Sequence, residues 1–189
     1  MMAPKSKLVD VRDFGIKGIN YYFERKEQFG ISAGELAAIG VDNSVLVNQA
    51  IIPALQKVQS ELKQQGYDLI VKDAYRSPEL YKLVKRKRYE RDGKENTDKT
   101  LDAVNMPHAD GYTVDVNLLD LATGSEMELR DKSDWPNGIF VDFYKDRADA
   151  KSQKYQKLQT ILIKTMLKNG FRLAGLREFW HFTYDEGAK

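Results

Sequence analysis

Met106-Pro107-His108-Ala109-Asp110-Gly111-Tyr112-Thr113-Val114-Asp115 decides how the rest of the chain is read. It carries one of only two histidines in 189 residues. The other, His181, lies in Arg177-Glu178-Phe179-Trp180-His181-Phe182. From Tyr112 onward the pattern alternates. Tyr112, Val114, Val116 and Leu118 fall on one face of a strand, and Thr113, Asp115 and Asn117 on the other. A carboxylate on the polar face of a half-buried strand is well placed to be a ligand, and Gly111 lets the backbone turn between it and His108. The chain has no cysteine, so a thiolate site is excluded and a transition-metal site must use these imidazoles. Zinc accepts imidazole nitrogen and carboxylate oxygen, and a catalytic zinc keeps three protein ligands and one open position. The expectation is that His108 and His181 meet in the fold and, with Asp115, hold one Zn2+ per chain, with Glu178 beside it as a base.

A lone histidine in a strand is more often packed or exposed than a ligand, and two distant histidines are weak evidence by themselves. His108 with Asp115 downstream, plus Glu178-x-x-His181 in an aromatic stretch, is more selective. It supplies two imidazoles, a ligand carboxylate and a spare carboxylate, the inventory of a zinc hydrolase. Residues three apart in a regular strand point to opposite faces. Glu178 and His181 therefore share a cleft only if Glu178 sits on a turn or a bulge, and one of these is expected.

Outward from this stretch, the pattern changes several times. Residues 8–43, with two glycines and β-favouring residues over 13–23, read as a loop or irregular strand wrapping the core. In 45–65, Val47, Ile51, Ala54, Leu55, Val58 and Leu62 recur at helical spacing, Gly66 supplies a stop, and Pro53 marks a kink or a second start. A strand is expected over 67–73. It leads through Ser77, a capping residue, into a helix over about 78–91. Lys85-Arg86-Lys87-Arg88 reads as a solvated helix face. Arg76, where strand gives way to helix, is either an ion-pair partner of Asp73 or a functional group. Residues 92–107 read as a long loop, and 120–148 as a second connection that includes a flap. A helix over 149–169 precedes two aromatic-rich strands, 171–173 and 178–184, with a turn at Ala174-Gly175.

The size suits a single domain over residues 1–189, large enough to fold without staples. With 30 basic against 28 acidic side chains there is no global field to draw nucleic acid. No apolar run is long enough for a membrane span. Met1-Met2-Ala3-Pro4-Lys5-Ser6-Lys7 lacks the apolar core of a signal peptide, which points to the cytoplasm, with a periplasmic location open if an export signal was removed. Nothing in the chain indicates an oligomeric state.

These residues carry a resemblance. His108, Gly111 and Asp115 match the Ser-x-His-x-x-Gly-x-Ala-x-Asp signature of the zinc D,D-peptidases. Glu178-Phe179-Trp180-His181 matches their Glu-x-x-His, and Asp73-Ala74-Tyr75-Arg76 their Asp-x-Tyr-Arg. Within that family the chain most resembles the D-alanyl-D-alanine dipeptidases of vancomycin resistance, over about residues 45–185. The resemblance implies an α+β fold, also seen in Hedgehog signalling domains: a small, mainly antiparallel sheet with helices on one face and a zinc cleft on the other. It implies zinc on His108, Asp115 and His181, Glu178 as catalytic base, and Arg76 holding the substrate carbonyl oxygen as it becomes an oxyanion. The implied activity is hydrolysis of D-Ala-D-Ala or a similar small D,D-peptide in cell-wall metabolism. The alternatives are a D,D- or L,D-carboxypeptidase and, in another class, a non-catalytic zinc or peptide-binding module. Met106 replaces the signature Ser and Thr113 the signature Ala. The aspartate that would hold the substrate amine is expected to be Asp134 or Asp142.

Overall fold

The computed structural model describes residues 7–99, 101–175 and 177–185. Residues 1–6, whose composition bears on export, lie outside the described residues. The N-terminal segment is more ordered than a loop. It comprises β1 (Leu8–Asp10), β2 (Lys17–Gly18), α1 (Tyr21–Glu24) and α2 (Ala33–Ala38). Local capping explains the short helices. The Asn20 side chain accepts from the Phe23 N–H, and Ser32 and Glu35 form a reciprocal capping box.

The helix expected over 45–65 divides in two. Residues Leu46–Asn48 form β3, antiparallel to β1, and α3 spans Ile52–Lys63. Pro53 marks the helix start, since its ring has no N–H and tolerates only the first turn. The Asn48 side chain accepts from the Ala50 N–H and turns the chain between the two elements. Val47 fits the helical spacing because it enters the same core from a strand.

The middle of the chain follows the sequence closely. β4 spans Tyr67–Asp73, α4 spans Pro78–Asp92 with Ser77 as cap, and β5 spans Thr113–Asp120. The expected 92–107 loop contains a short helix, α5 (Lys94–Asp98). In the basic run of α4, Arg86 and Lys87 pair with Glu35 and Arg88 with Asp92. Helix α6 (Ala150–Lys168), capped by Asp149, leads to β6 (Phe171–Leu173) and β7 (His181–Tyr184).

The main sheet has the order β2-β4-β5-β7-β6. Only β2 with β4 is parallel, and the other pairs are antiparallel. Leu69, Val71, Val114, Val116, Leu118 and Phe182 point to one face, where they meet Leu55, Val58 and Leu62 of α3 and Leu158, Leu162 and Met166 of α6. Each fully buried side chain of this kind stabilises the fold by about 1.5–3 kcal/mol. That leaves the opposite face for polar side chains. A second cluster, with Tyr22, Leu36, Leu80, Tyr81 and Val84, fastens the N-terminal segment to α4 beside that polar face. The architecture is α+β, as the resemblance implied. Among the described residues, no helix is long and apolar enough to cross a membrane.

Candidate metal centre and cleft

Strand pairing places the first two metal-ligand candidates. Asp115 of β5 lies directly opposite His181 of β7. Cross-strand neighbours hold their Cβ atoms roughly 4.5–5.5 Å apart on one face, so both project from the polar side. On the other flank of β5, the register shifts between Val71 and Asp73, so that Asp73 faces Asp115. The bulge brings a carboxylate into the row where a regular ladder would bring Lys72.

His108 comes from the turn before β5 and is fully buried. Its N–H donates to the Tyr81 hydroxyl at 3.1 Å, and its carbonyl accepts from the N–H of Arg76 at 3.2 Å and of Gly111 at 3.3 Å. Gly111 has φ +77°, and its carbonyl accepts from the Asn48 N–H at 2.9 Å. The turn is thus pinned between β3 and the β4–α4 junction.

His108 Nε2 lies 3.7 Å from Asp115 Oδ1, and His181 Nδ1 lies 3.4 Å from the same oxygen. The imidazole centroids are 5.0 Å apart. One donor atom from each of His108, Asp115 and His181 lies within 4.8 Å of the others. Both nitrogens of His108, Oδ1 of Asp115 and Nε2 of His181 are buried without a hydrogen-bond partner. Leaving such groups unsatisfied costs about 1–3 kcal/mol each. Two imidazoles and one carboxylate converging in this way fit a zinc ion. Burial, with the nearby Arg76 charge and His181, holds the His108 pKa well below the ordinary range, so its lone pair is available. Burial raises the Asp115 carboxyl against the opposing pull of His181. Burial would lower His181, but the hydrogen bond to Glu178 and the Asp115 charge raise it overall.

The second aromatic strand is shorter than expected, because β7 begins at His181. Glu178 precedes it on a turn, bridged to Phe140, and its carbonyl accepts from the His181 N–H at 3.2 Å. Its carboxylate Oε2 lies 3.4 Å from His181 Nδ1. The turn resolves the facing problem that a continuous strand would create. Arg76 proves to be an ion-pair partner and a cleft residue at once. Its Nε donates to Asp73 Oδ2 at 2.8 Å and a second N–H donates to the same oxygen. Its guanidinium sits 5.0 Å from the Tyr22 ring centroid and 5.3 Å from that of Tyr81, and 3.8 Å from Asp115 Oδ2. Burial would lower its pKa, but Asp73 and its neighbours hold it well above the ordinary range, so Arg76 stays charged.

These groups open into a cleft of about 1660 Å³. Residues 126–130, Lys132 and Trp135, from the connection read as a flap, form one wall. Tyr21, Tyr22, Lys85 and Val104 line the other. Neither aspartate expected to hold a substrate amine faces the cleft. Asp134 accepts from the Tyr144 hydroxyl at 2.8 Å and from Arg147 at 3.5 Å, and Asp142 is exposed at φ +68°. Met106 takes φ +45° and packs toward the second cluster, while the buried Thr113 hydroxyl shares a 2.8 Å hydrogen bond with Thr183. Tyr22 and Arg130 carried no signal in the sequence, since neither lies in a motif.

No family model matches the sequence, and no curated protein is significantly similar to it. Solved structures do match. The LdcB LD-carboxypeptidase, whose structure reveals the molecular basis of peptidoglycan recognition, aligns at TM-score 0.51 and 17% identity over 76% of this chain. The alignment spans 62% of that protein's own chain, less than two thirds. A Glu-to-Ala mutant of the vancomycin-resistance D,D-pentapeptidase VanY from a VanB-type cassette, in complex with Zn(II), aligns at TM-score 0.51 and 15% identity. That alignment covers 76% of this chain and 75% of the pentapeptidase. At such identities the shared property is the fold: this chain is built like an LD-carboxypeptidase and a zinc-binding D,D-pentapeptidase.

Proposed function

We propose that this protein is a zinc-dependent peptidase of the D,D/L,D-peptidase superfamily, cleaving the bond before a terminal D-amino acid in short cell-wall peptides. One observation carries this reading: His108, Asp115 and His181 converge with buried, partnerless donor atoms while Glu178 and Arg76 border the same cleft. When bound, zinc supplies Lewis acidity and brings the pKa of a water toward about 7. Glu178 takes the proton from the attacking water and returns it to the leaving amine. Arg76 turns a permanent charge toward the carbonyl oxygen as negative charge develops, and removing such a donor costs on the order of 2.7–4 kcal/mol of barrier. Asp73, Tyr22 and Tyr81 position Arg76 by ion pairing and ring contact.

Cleft size favours a carboxypeptidase over a D-Ala-D-Ala dipeptidase. Sites for drug-sized ligands run to roughly 300–1,000 Å³. This cleft, at about 1660 Å³, exceeds them. Asp134 and Asp142 are both turned away from the cleft, so of the acids there Glu128 is the one left to hold a substrate amine. D-Ala-D-Ala is then the smallest substrate, and a longer stem peptide the better one. Fold likeness to LdcB and VanY supports peptidoglycan peptides as the class. A non-catalytic zinc or peptide-binding module needs neither a spare carboxylate nor an oxyanion donor, so the placement of Glu178 and Arg76 disfavours it.

The test is a panel of D,D- and L,D-dipeptides, tripeptides and pentapeptides, assayed with zinc and after chelation. Zinc-dependent release of the terminal D-residue is expected, faster from the longer peptides. Glu178→Ala keeps zinc and loses hydrolysis, and His181→Ala loses both. Native-rate hydrolysis by Glu178→Ala would remove the base from the scheme.

A further inference from the structure

Among the arginines that line the cleft with Arg76 is Arg130, which no motif marked. Arg130 lies in the connection after β5, lining the cleft with Glu178, Trp180 and His181. Its guanidinium is 5.6 Å from the Trp135 ring centroid and 6.0 Å from that of Trp180, the residue before His181. The backbone on either side is fixed. Gln159, buried in α6, donates to the Leu129 carbonyl at 2.8 Å, and the Asp131 N–H donates to the buried Tyr144 hydroxyl at 2.9 Å. The guanidinium spends one N–H on the Asp131 carbonyl at 3.3 Å, and among the described residues it has no ion-pair partner. Of the nearby acids, Glu126 is held by Lys72 and Asn117, and Glu128 projects from the same wall without reaching Arg130. Lys132 and Arg172 also line the cleft but are exposed.

A half-buried guanidinium has five N–H donors in a rigid fork that matches a carboxylate. Indole rings within about 6 Å of the charge favour the cation. An arginine needed only to join the wall would direct its fork at a protein carboxylate, as Arg76 does with Asp73. Arg130 instead lines the cleft and, among the described residues, spends its fork on no carboxylate. We propose that Arg130 is a specificity residue that binds a carboxylate of the peptide substrate. This rests on the peptidase reading of the same cleft. The carboxylate is either the C-terminal one or that of an acidic residue upstream of the scissile bond, and the recognition chemistry is the same for both.

The experiment uses three probes: acetyl-D-Glu-D-Ala-D-Ala, its C-terminal amide and its D-Gln analogue. Equilibrium binding and turnover are measured on zinc-loaded wild type, Arg130→Met and Arg130→Lys. Removing a charge-assisted hydrogen bond should weaken binding of the matching acid by roughly tenfold to a hundredfold. Arg130→Met is expected to lose that factor for the acid and not for its neutral analogue, with Arg130→Lys recovering part of it. Selectivity lost between acid and amide assigns the C-terminal carboxylate, and selectivity lost between D-Glu and D-Gln assigns the upstream one. Equal loss for every probe means a merely structural role and overturns the proposal, as does no loss at all. Acid-selective binding without turnover in wild type would overturn the peptidase reading and leave the Arg130 assignment standing.

Discussion

Gly111→Ala separates two reasons for a glycine beside the candidate metal ligands. Gly111 has φ +77°, and a Cβ there would lie 2.7 Å from the backbone nitrogen of Asn48 and 2.8 Å from Leu8 Cδ2. The left-handed conformation costs an L-residue about 1–2 kcal/mol. A backbone nitrogen cannot rotate aside, so β3 must move off the turn, at a cost of about 1–3 kcal/mol. Gly15 isolates the first effect, since its φ is +75° and nothing lies within 4 Å of its would-be Cβ. In urea denaturation Gly15→Ala should lose only the conformational part, and Gly111→Ala about 1–3 kcal/mol more. The displacement should also weaken zinc binding, because the Gly111 N–H donates to the carbonyl of His108. Gly15→Ala, remote from that turn, should bind zinc as wild type does. Equal stability losses with unchanged zinc affinity would refute the idea that the β3 contact sets the position of His108.

Three further outcomes are expected. Asp73→Asn removes the carboxylate that accepts both Arg76 hydrogen bonds and leaves only the more distant Asp115, which should cost up to about 3–5 kcal/mol in denaturant melts. Zinc at a hundredfold excess over its Kd should stabilise wild type by about 2.7 kcal/mol in thermal melts, and should do nothing for His181→Ala. The Ser32 N–H and then Lys87 hold the Glu35 carboxyl at about 2, below its ordinary 4.5. A depressed carboxylate stabilises the fold above the ordinary value and loses that contribution as pH falls from 4.5 toward 2, so Glu35→Gln should flatten the Tm profile across that window.

Local signals are legible where a side chain's role depends on its immediate neighbours. The alternation at Thr113 to Leu118 assigned β5 and its two faces, and the capping residue Ser77 marked the start of α4. Pro53 carried the correct start of α3, yet Val47 obscured it, because a strand and a helix can feed the same core with matching spacing. The N-terminal segment was opaque because its elements are too short for any period to show.

The sequence alone determined the donor inventory: two imidazoles, no thiolate, and carboxylates spaced so that Asp115 falls on a polar strand face and Glu178 precedes His181. Tertiary structure decided which of these meet. The register of β5 against β7 brings Asp115 opposite His181, the β4 bulge delivers Asp73 to Arg76, and the turn at Glu178 reverses a side chain that a continuous strand would send away. It also turned Asp134 and Asp142 away from the cleft and set Arg130 near two indoles. Composition and spacing fix what chemistry is available along the chain. Which groups share a cavity depends on strand register and long-range packing, which no local pattern encodes.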